Sequence, residues 1–251
     1  MIATDSLVLS GRTVRHILRN PDQAMTAIFL PVALMLMFRF VFGGAIETGN
    51  TSYINYVVAG IIAISVTFNS TATVVGVAQD MTEGVVERFR SMPMSSVAVL
   101  TGHVSGAVVR NLVSMLVMVA VGLLIGFRPR ASVLEWLAVL GILLLFMVAI
   151  SWLAAILGLL AKSAEGAGGL GMVLVFVPYL SSAFVPPSTM PGGLRQFCEI
   201  QPVTPVVDSV RALLLAAPVG ASAWLALVWW AGILAVTVPV AGVLFRRRTR
   251  A

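Results

Sequence analysis

Apolar residues run in long blocks along this chain, and the short stretches between them hold most of the charge. At roughly 20 apolar residues per membrane crossing, the blocks predict spans over residues 24–44, 55–78, a stretch within 97–127, 133–160, 166–187 and 222–245. Period-two alternation, the mark of a membrane β-barrel, is absent. The pattern therefore predicts an all-α integral membrane protein with six transmembrane helices, forming a single domain over residues 1–251. Arg39 lies near one end of the first span, where its long side chain can snorkel to the headgroups. In the second span Ser65, Asn69 and Thr73 recur every four residues and so stack along one side of the helix. Such a stripe cannot comfortably face lipid. It either joins a neighbouring helix as polar glue or lines a passage, and the sequence leaves both open.

Shorter patterns flank the spans. Over residues 7–20, Leu7, Val14, Ile17 and Leu18 share one face and Arg12, Arg15 and Arg19 another. Pro21 closes this segment, which reads as an interfacial helix (residues 1–21) lying on the membrane surface. Residues 80–95 hold Asp80, Glu83, Glu87, Arg88 and Arg90 between two apolar blocks. Asp80 is placed to cap a short helix with Glu83 reaching back to it, and Pro93 to end it. Val85, Phe89 and Met92 fall on one face of that helix and Glu83, Glu87 and Arg90 on another. Two readings fit: a docking element for a partner outside the bilayer, or an ordinary polar loop. Residues 187–220 carry two amphipathic patterns too short to span, the second with Asp208 and Arg211 paired at i, i+3. They read as helices dipping into one membrane face.

The composition agrees: 59% of the 251 residues are hydrophobic and 10% charged, with a mean hydropathy of +1.01. A net charge of +6 would suit nucleic acid, but the basic residues sit at span ends, where orientation explains them, so no nucleic-acid partner is expected. Six spans put Arg12, Arg15, Arg19, Arg88, Arg90, Lys162, Arg246, Arg247, Arg248 and Arg250 on one side. Arg128, Arg130, Arg195 and Arg211 fall on the other. The positive-inside rule makes the first side, with both termini and the Asp80 segment, cytoplasmic. No cleavable signal peptide shows in the charged first twenty residues.

Several chemistries find no residues. Lys162, the single lysine, follows no glycine pattern, so the chain has no phosphate loop for ATP. The run Gly166-Ala167-Gly168-Gly169-Leu170-Gly171 follows no strand, and close helix packing explains it better. Gly102/Gly106 and Gly122/Gly126 are small-xxx-small pairs of the same kind. No Asp or Glu lies mid-span to couple protons. His103 has no evident acidic partner and reads as structural. His103 and Arg110 are expected at or just inside the near interface, because the third block is longer than the hydrocarbon. Cys198 is the one cysteine, which excludes an intrachain disulfide and a cysteine metal cluster. No catalytic, cofactor or metal set can be assembled, so the energy must enter from outside the chain.

Four stretches carry a family resemblance. Gly84 with Glu87-Arg88-Phe89-Arg90-Ser91-Met92-Pro93-Met94-Ser95 resembles the signature of type-2 ABC exporter permeases, in particular the daunorubicin/doxorubicin-resistance subgroup. Phe40-Val41-Phe42-Gly43-Gly44-Ala45-Ile46 is similar as well. So are Phe184-Val185-Pro186 with Met190-Pro191 and Leu194, and Pro202-Val203-Thr204 with Asp208 and Arg211-Ala212-Leu213-Leu214. The resemblance implies a half-transporter that pairs with a second permease half, identical or related, and binds two copies of a separate cytosolic ABC ATPase. ATP and magnesium would sit on that ATPase and no cofactor on this chain. Residues 80–95 become the coupling helix, with Glu83, Gly84, Val85, Glu87, Arg88, Phe89, Arg90, Met92 and Pro93 as its contact residues. The two short helices become re-entrant elements on the outer side. The implied cargo is an amphipathic or lipid-like molecule, such as an antibiotic or glycolipid, moved outward across the plasma membrane. Ser65, Asn69 and Thr73 are the candidate path. A non-transport scaffold and an importer permease are the alternatives. One departure stands out. The family pattern opens the third span with Gly-Arg and carries an Asp three residues before an Arg, whereas this chain has Gly102-His103, Ala107 and Arg110. Arg110 must therefore find another partner.

Overall fold

The computed structural model describes residues 21–45, 52–82 and 96–250. Among them the chain is helical, with no strand. The helices are α1 (Pro21–Met37, continued by a π-helical turn, Phe38–Phe42), α2 (Tyr53–Thr82), α3 (Ser96–Leu124) and α4 (Val133–Leu160). After these come α5 (Ala164–Tyr179), α6 (Gly192–Ile200), α7 (Val203–Leu214) and α8 (Ser222–Arg250). Four of them, α2, α3, α4 and α8, are long and apolar enough to cross a membrane.

The expected fifth span is shorter than the apolar block suggests. Ser163 caps α5 by accepting from Gly166 N at 3.1 Å, and the helix ends at Tyr179, just past Pro178. Its 16 residues reach about 24 Å, short of a hydrocarbon core of about 30 Å. The chain turns at residues 180–183 instead of continuing to Val185. At the other chain end, α8 runs on through Arg246, Arg247 and Arg248. Pro21 is the first described residue of α1.

The bundle is organised around α2, which touches α1, α3, α4, α5 and α7. Its residues are buried around much of its circumference, from Tyr53, Ile54 and Val57 to Val74 and Val77. Small residues let the neighbours close in. A Cβ at Gly60 would come 2.5 Å from Ala183 Cα, and one at Gly158 of α4 would come 2.6 Å from the Val74 carbonyl oxygen. Of the glycine run, Gly171 approaches α2, where a Cβ would lie 3.1 Å from Thr71 Cβ, while Gly168 and Gly169 face open space. Close packing thus accounts for one end of that run. Gly126, at φ +106°, ends α3, and Phe127 N donates back to the Gly122 carbonyl at 2.8 Å, a left-handed helix cap that a side chain at 126 would strain.

The two ends of the bundle differ. At one, Arg39 Nε donates to the Ile125 carbonyl at 3.2 Å and Arg128 N to Asn55 Oδ1 at 3.0 Å. There α7 buries Val203, Val206, Val207 and Val210, while α6 leaves Leu194, Phe197 and Ile200 exposed. At the other end, Val77, Leu100, Leu159 and Phe245 form a second apolar cluster. Arg248 donates there to the Leu159 carbonyl.

Gly60→Ala is expected to destabilise the detergent-solubilised protein by about 1–3 kcal/mol, because the added methyl meets backbone that cannot yield. Gly168→Ala should leave the melting temperature unchanged or slightly raised, since alanine favours helix. Thermal melts of the two variants check the pair.

Candidate functional site

Segment 83–95, with Glu83, Gly84, Val85, Glu87, Arg88, Phe89, Arg90, Met92 and Pro93, lies outside the described residues, as do Arg12, Arg15 and Arg19. Both flanks of that segment are described, and they correct two expectations. Asp80 is not the cap of a new helix. It belongs to the last turn of α2, and its helical backbone is not the extended geometry a capping residue adopts. Its carboxylate reaches sideways to α3, where Oδ2 lies 2.7 Å from His103 Nε2. His103 therefore does have an acidic partner, 23 residues earlier in the chain. Gly76 leaves room for the ring, since a Cβ there would come 3.3 Å from the imidazole Cε1. The pair joins α2 to α3 near the end of α2.

Deeper in, the Ser65, Asn69 and Thr73 stripe faces α3. Ser65 Oγ and Ser114 Oγ are 3.0 Å apart, and Ser114 also lies 3.1 Å from the Ala27 carbonyl of α1, to which it donates. Arg110 Nη2 donates to the Asn69 carbonyl at 3.0 Å and approaches Thr73 Oγ1 at 3.4 Å. These are the partners that replace the absent acid at Ala107. All three stripe residues are buried, so in this conformation the stripe is closed rather than lining an open passage. Thr67 and Ser70, on other faces of α2, donate to carbonyls of their own helix, a solution open to hydroxyls in hydrocarbon. The carboxamides of Asn69 and Asn111 have no such outlet. Both ends of each, and Arg110 Nε, are buried without a hydrogen-bond partner. Each such atom costs about 1–3 kcal/mol of desolvation.

Helix rise places this layer. Measured from Ile125, Arg110 lies about 22 Å along α3 and His103 about 33 Å. With a hydrocarbon core of about 30 Å reckoned from Ile125, His103 falls near the boundary and Arg110 about one and a half turns inside it, deeper than the sequence predicts for Arg110.

A third polar group ties α2 to α7 at the far end. Arg211 Nη1 pairs with Asp208 Oδ1 at 2.8 Å, as the i, i+3 spacing predicts. Its Nε donates to the Tyr56 carbonyl at 2.9 Å and its Nη2 to the Ser182 carbonyl at 2.6 Å. The guanidinium stacks 3.7 Å over the Tyr56 ring, and Ser182 Oγ donates to Asp208 Oδ1 at 2.5 Å. Tyr56 and Ser182 carry no local signal, because their partners lie far away in sequence. Asn111 and Ser114 were legible in principle, since with Ala107 they form a small and polar row on one face of α3. Cys198 is buried in α6, and burial pushes its thiol pKa up.

The sequence profile of ABC-2 type transporters matches residues 5–215. This chain belongs to the ABC-2 type transporter family. It is similar to the daunorubicin resistance ABC transporter permease protein DrrB1 of Streptomyces coeruleorubidus, with 29% identity covering 91% of this chain and 81% of the relative. It is also similar to the probable doxorubicin resistance ABC transporter permease protein DrrC of Mycobacterium tuberculosis, with 23% identity covering 98% of this chain and 90% of that one. This ABC-2 chain is accordingly a multi-pass membrane permease subunit, not itself catalytic, and membership implies an ATP-binding partner subunit.

The Asp80–His103 contact is partly exposed at both residues, so its strength is moderated by solvent. Asp80→Asn and His103→Gln are each expected to lower the melting temperature. The double variant should lose about 0.5–1 kcal/mol less than the sum of the two. Strict additivity would mean that the two side chains do not act as a pair.

Proposed function

We propose that this chain is the permease half of an ATP-driven exporter that moves amphipathic or lipid-like molecules outward across the plasma membrane. The observation that carries this reading is the family match over residues 5–215, which takes in all of segment 83–95. The names of the similar proteins, which are drug-resistance permeases, support export as its direction. In this reading α1 and α5 join the four long helices to make six crossings, and both termini face the cytosol. The short helices α6 and α7 enter the outer leaflet without crossing it.

Residues 83–93 act as the coupling helix between two copies of a cytosolic ATPase and two permease halves. Val85, Phe89 and Met92 fill an apolar groove in the ATPase, with Gly84 and Pro93 bounding the helix. Glu83, Glu87, Arg88 and Arg90 make rim contacts that set the register. ATP binding closes the ATPase pair, and the motion enters the bundle through the ends of α2 and α3, which Asp80 and His103 hold together. The halves then rock between inward- and outward-open states. The interfacial helix bearing Arg12, Arg15 and Arg19 steadies this assembly at the membrane surface. The face of Ser65, Asn69 and Thr73 meets cargo only when α3 moves off α2.

Phe89→Asp puts a charge where an apolar anchor should seat. It should reduce co-purification of the ATPase and export at least tenfold while leaving the permease folded. Unchanged association and export in the same cells would contradict the docking role.

A further inference from the structure

We propose that Arg110, Asn69 and Asn111 form an anion-binding site for the phosphate or carboxylate headgroup of the cargo. The site deepens the exporter reading above by naming the chemical class of what is carried. Arg110 is a partly buried arginine, about one and a half turns inside the hydrocarbon boundary at the Asp80 end. Among the described residues the ion pairs are Arg195–Glu199 and Arg211–Asp208, with His103–Asp80 as a further acid–base contact, and none includes Arg110. Its hydrogen bonds go to a carbonyl and a hydroxyl, which leave its charge uncompensated. A guanidinium at such depth requires a counter-charge.

The neighbouring groups are matched to an anion. Arg110 Nε is a donor without an acceptor, and the side-chain amides of Asn69 and Asn111, unpartnered at both nitrogen and oxygen, can each turn a nitrogen toward an anion. Asn69 is 3% and Asn111 1% exposed, so water does not satisfy them from outside. The Ser65–Ser114 contact sets α2 and α3 in a register that puts Asn69 level with Arg110. Arg211 offers the contrast, because every polar edge of its guanidinium is used within the fold. Arg110 is partly exposed, and the apolar Val113 and Leu116 further along α3 are exposed. A headgroup meets Arg110 with its apolar tail along Val113 and Leu116, and reaches Nε and the two amides when α3 moves off α2. A fork of N–H donors around a planar cation suits phosphate and carboxylate oxygens and repels an ammonium.

The test uses the full chain in phosphatidylcholine nanodiscs, titrated with fluorescent dodecyl phosphate and a tail-matched dodecyltrimethylammonium probe. The wild type should prefer the phosphate probe at least tenfold. Arg110→Gln should lose that preference tenfold or more with the ammonium probe unmoved, and Asn111→Leu should weaken the phosphate probe about threefold. Ala107→Asp places an internal carboxylate three residues before Arg110. It should abolish phosphate binding while keeping the melting temperature at or above that of wild type, which separates loss of the site from loss of the fold. Displacement by inorganic phosphate alone marks a free-anion site, displacement by phosphatidic acid vesicles alone marks a lipid headgroup, and either supports the assignment. Equal binding of the two probes by wild type, or full phosphate affinity in a folded Arg110→Gln or Ala107→Asp chain, overturns it. No ATPase is present in this assay. A chain that binds dodecyl phosphate but recruits no ATPase refutes the exporter reading alone. One that exports without discriminating the probes refutes the anion site alone.

Discussion

Hydrocarbon offers no water to a polar group, and α2 carries more such groups than any other described helix. The rest of the bundle is arranged to cover them. Hydroxyls on its other faces fold back onto carbonyls of α2 itself, and the Ser65, Asn69 and Thr73 face is closed by α3. Small residues at positions 60, 158 and 171 bring the turn after α5, α4 and α5 itself close enough to complete the enclosure. One layer of this face remains poorly satisfied. At Asn69, Arg110 and Asn111 the buried amides and Nε lack partners. A fully paired α2–α3 seam would resist separation more than this partly satisfied one.

The polar seam lies between two anchored ends. Toward the Asp80 end, the Asp80–His103 contact holds α2 and α3 together near the end of α2. Toward the other, the Arg211, Asp208, Ser182 and Tyr56 group locks α7 and the turn after α5 onto the start of α2. Movement introduced at the first end would reach the seam through α2 and α3 before meeting the more fully bonded second end. The contrast between the two groups is physical. The Arg211 guanidinium is saturated by carboxylate, carbonyls and a ring, while the histidine pair is a single, partly exposed contact.

Much of this architecture was legible in the residues. The apolar block at 133–160 matches α4, Val133–Leu160, and the Asp208–Arg211 pair follows from helical spacing. The polar stripe on α2 was legible as a face, but not its cover, since nothing local in Ser65 points to Ser114, 49 residues on. His103 was misread because its acid lies on another helix, and Asp80 was misread because capping and cross-helix pairing leave the same mark in sequence. The fifth apolar block looked long enough to span because Leu180, Phe184 and Val185 continue its apolar character. The helix itself ends near Pro178, where the chain must turn to bring Ala183 against Gly60.

Each chain seals the polar face of α2 with its own α3. Cysteines at Ser65 and Ser114, whose hydroxyl oxygens lie 3.0 Å apart, fall within reach of a disulfide. Mild oxidation of the Ser65→Cys/Ser114→Cys chain in native membranes should give an intramolecular disulfide, seen as a reducible mobility shift of the monomer, with neither single variant shifting. Cross-links that form only between chains, or a Ser65→Cys chain that dimerises alone, would put the stripe between subunits and contradict the account.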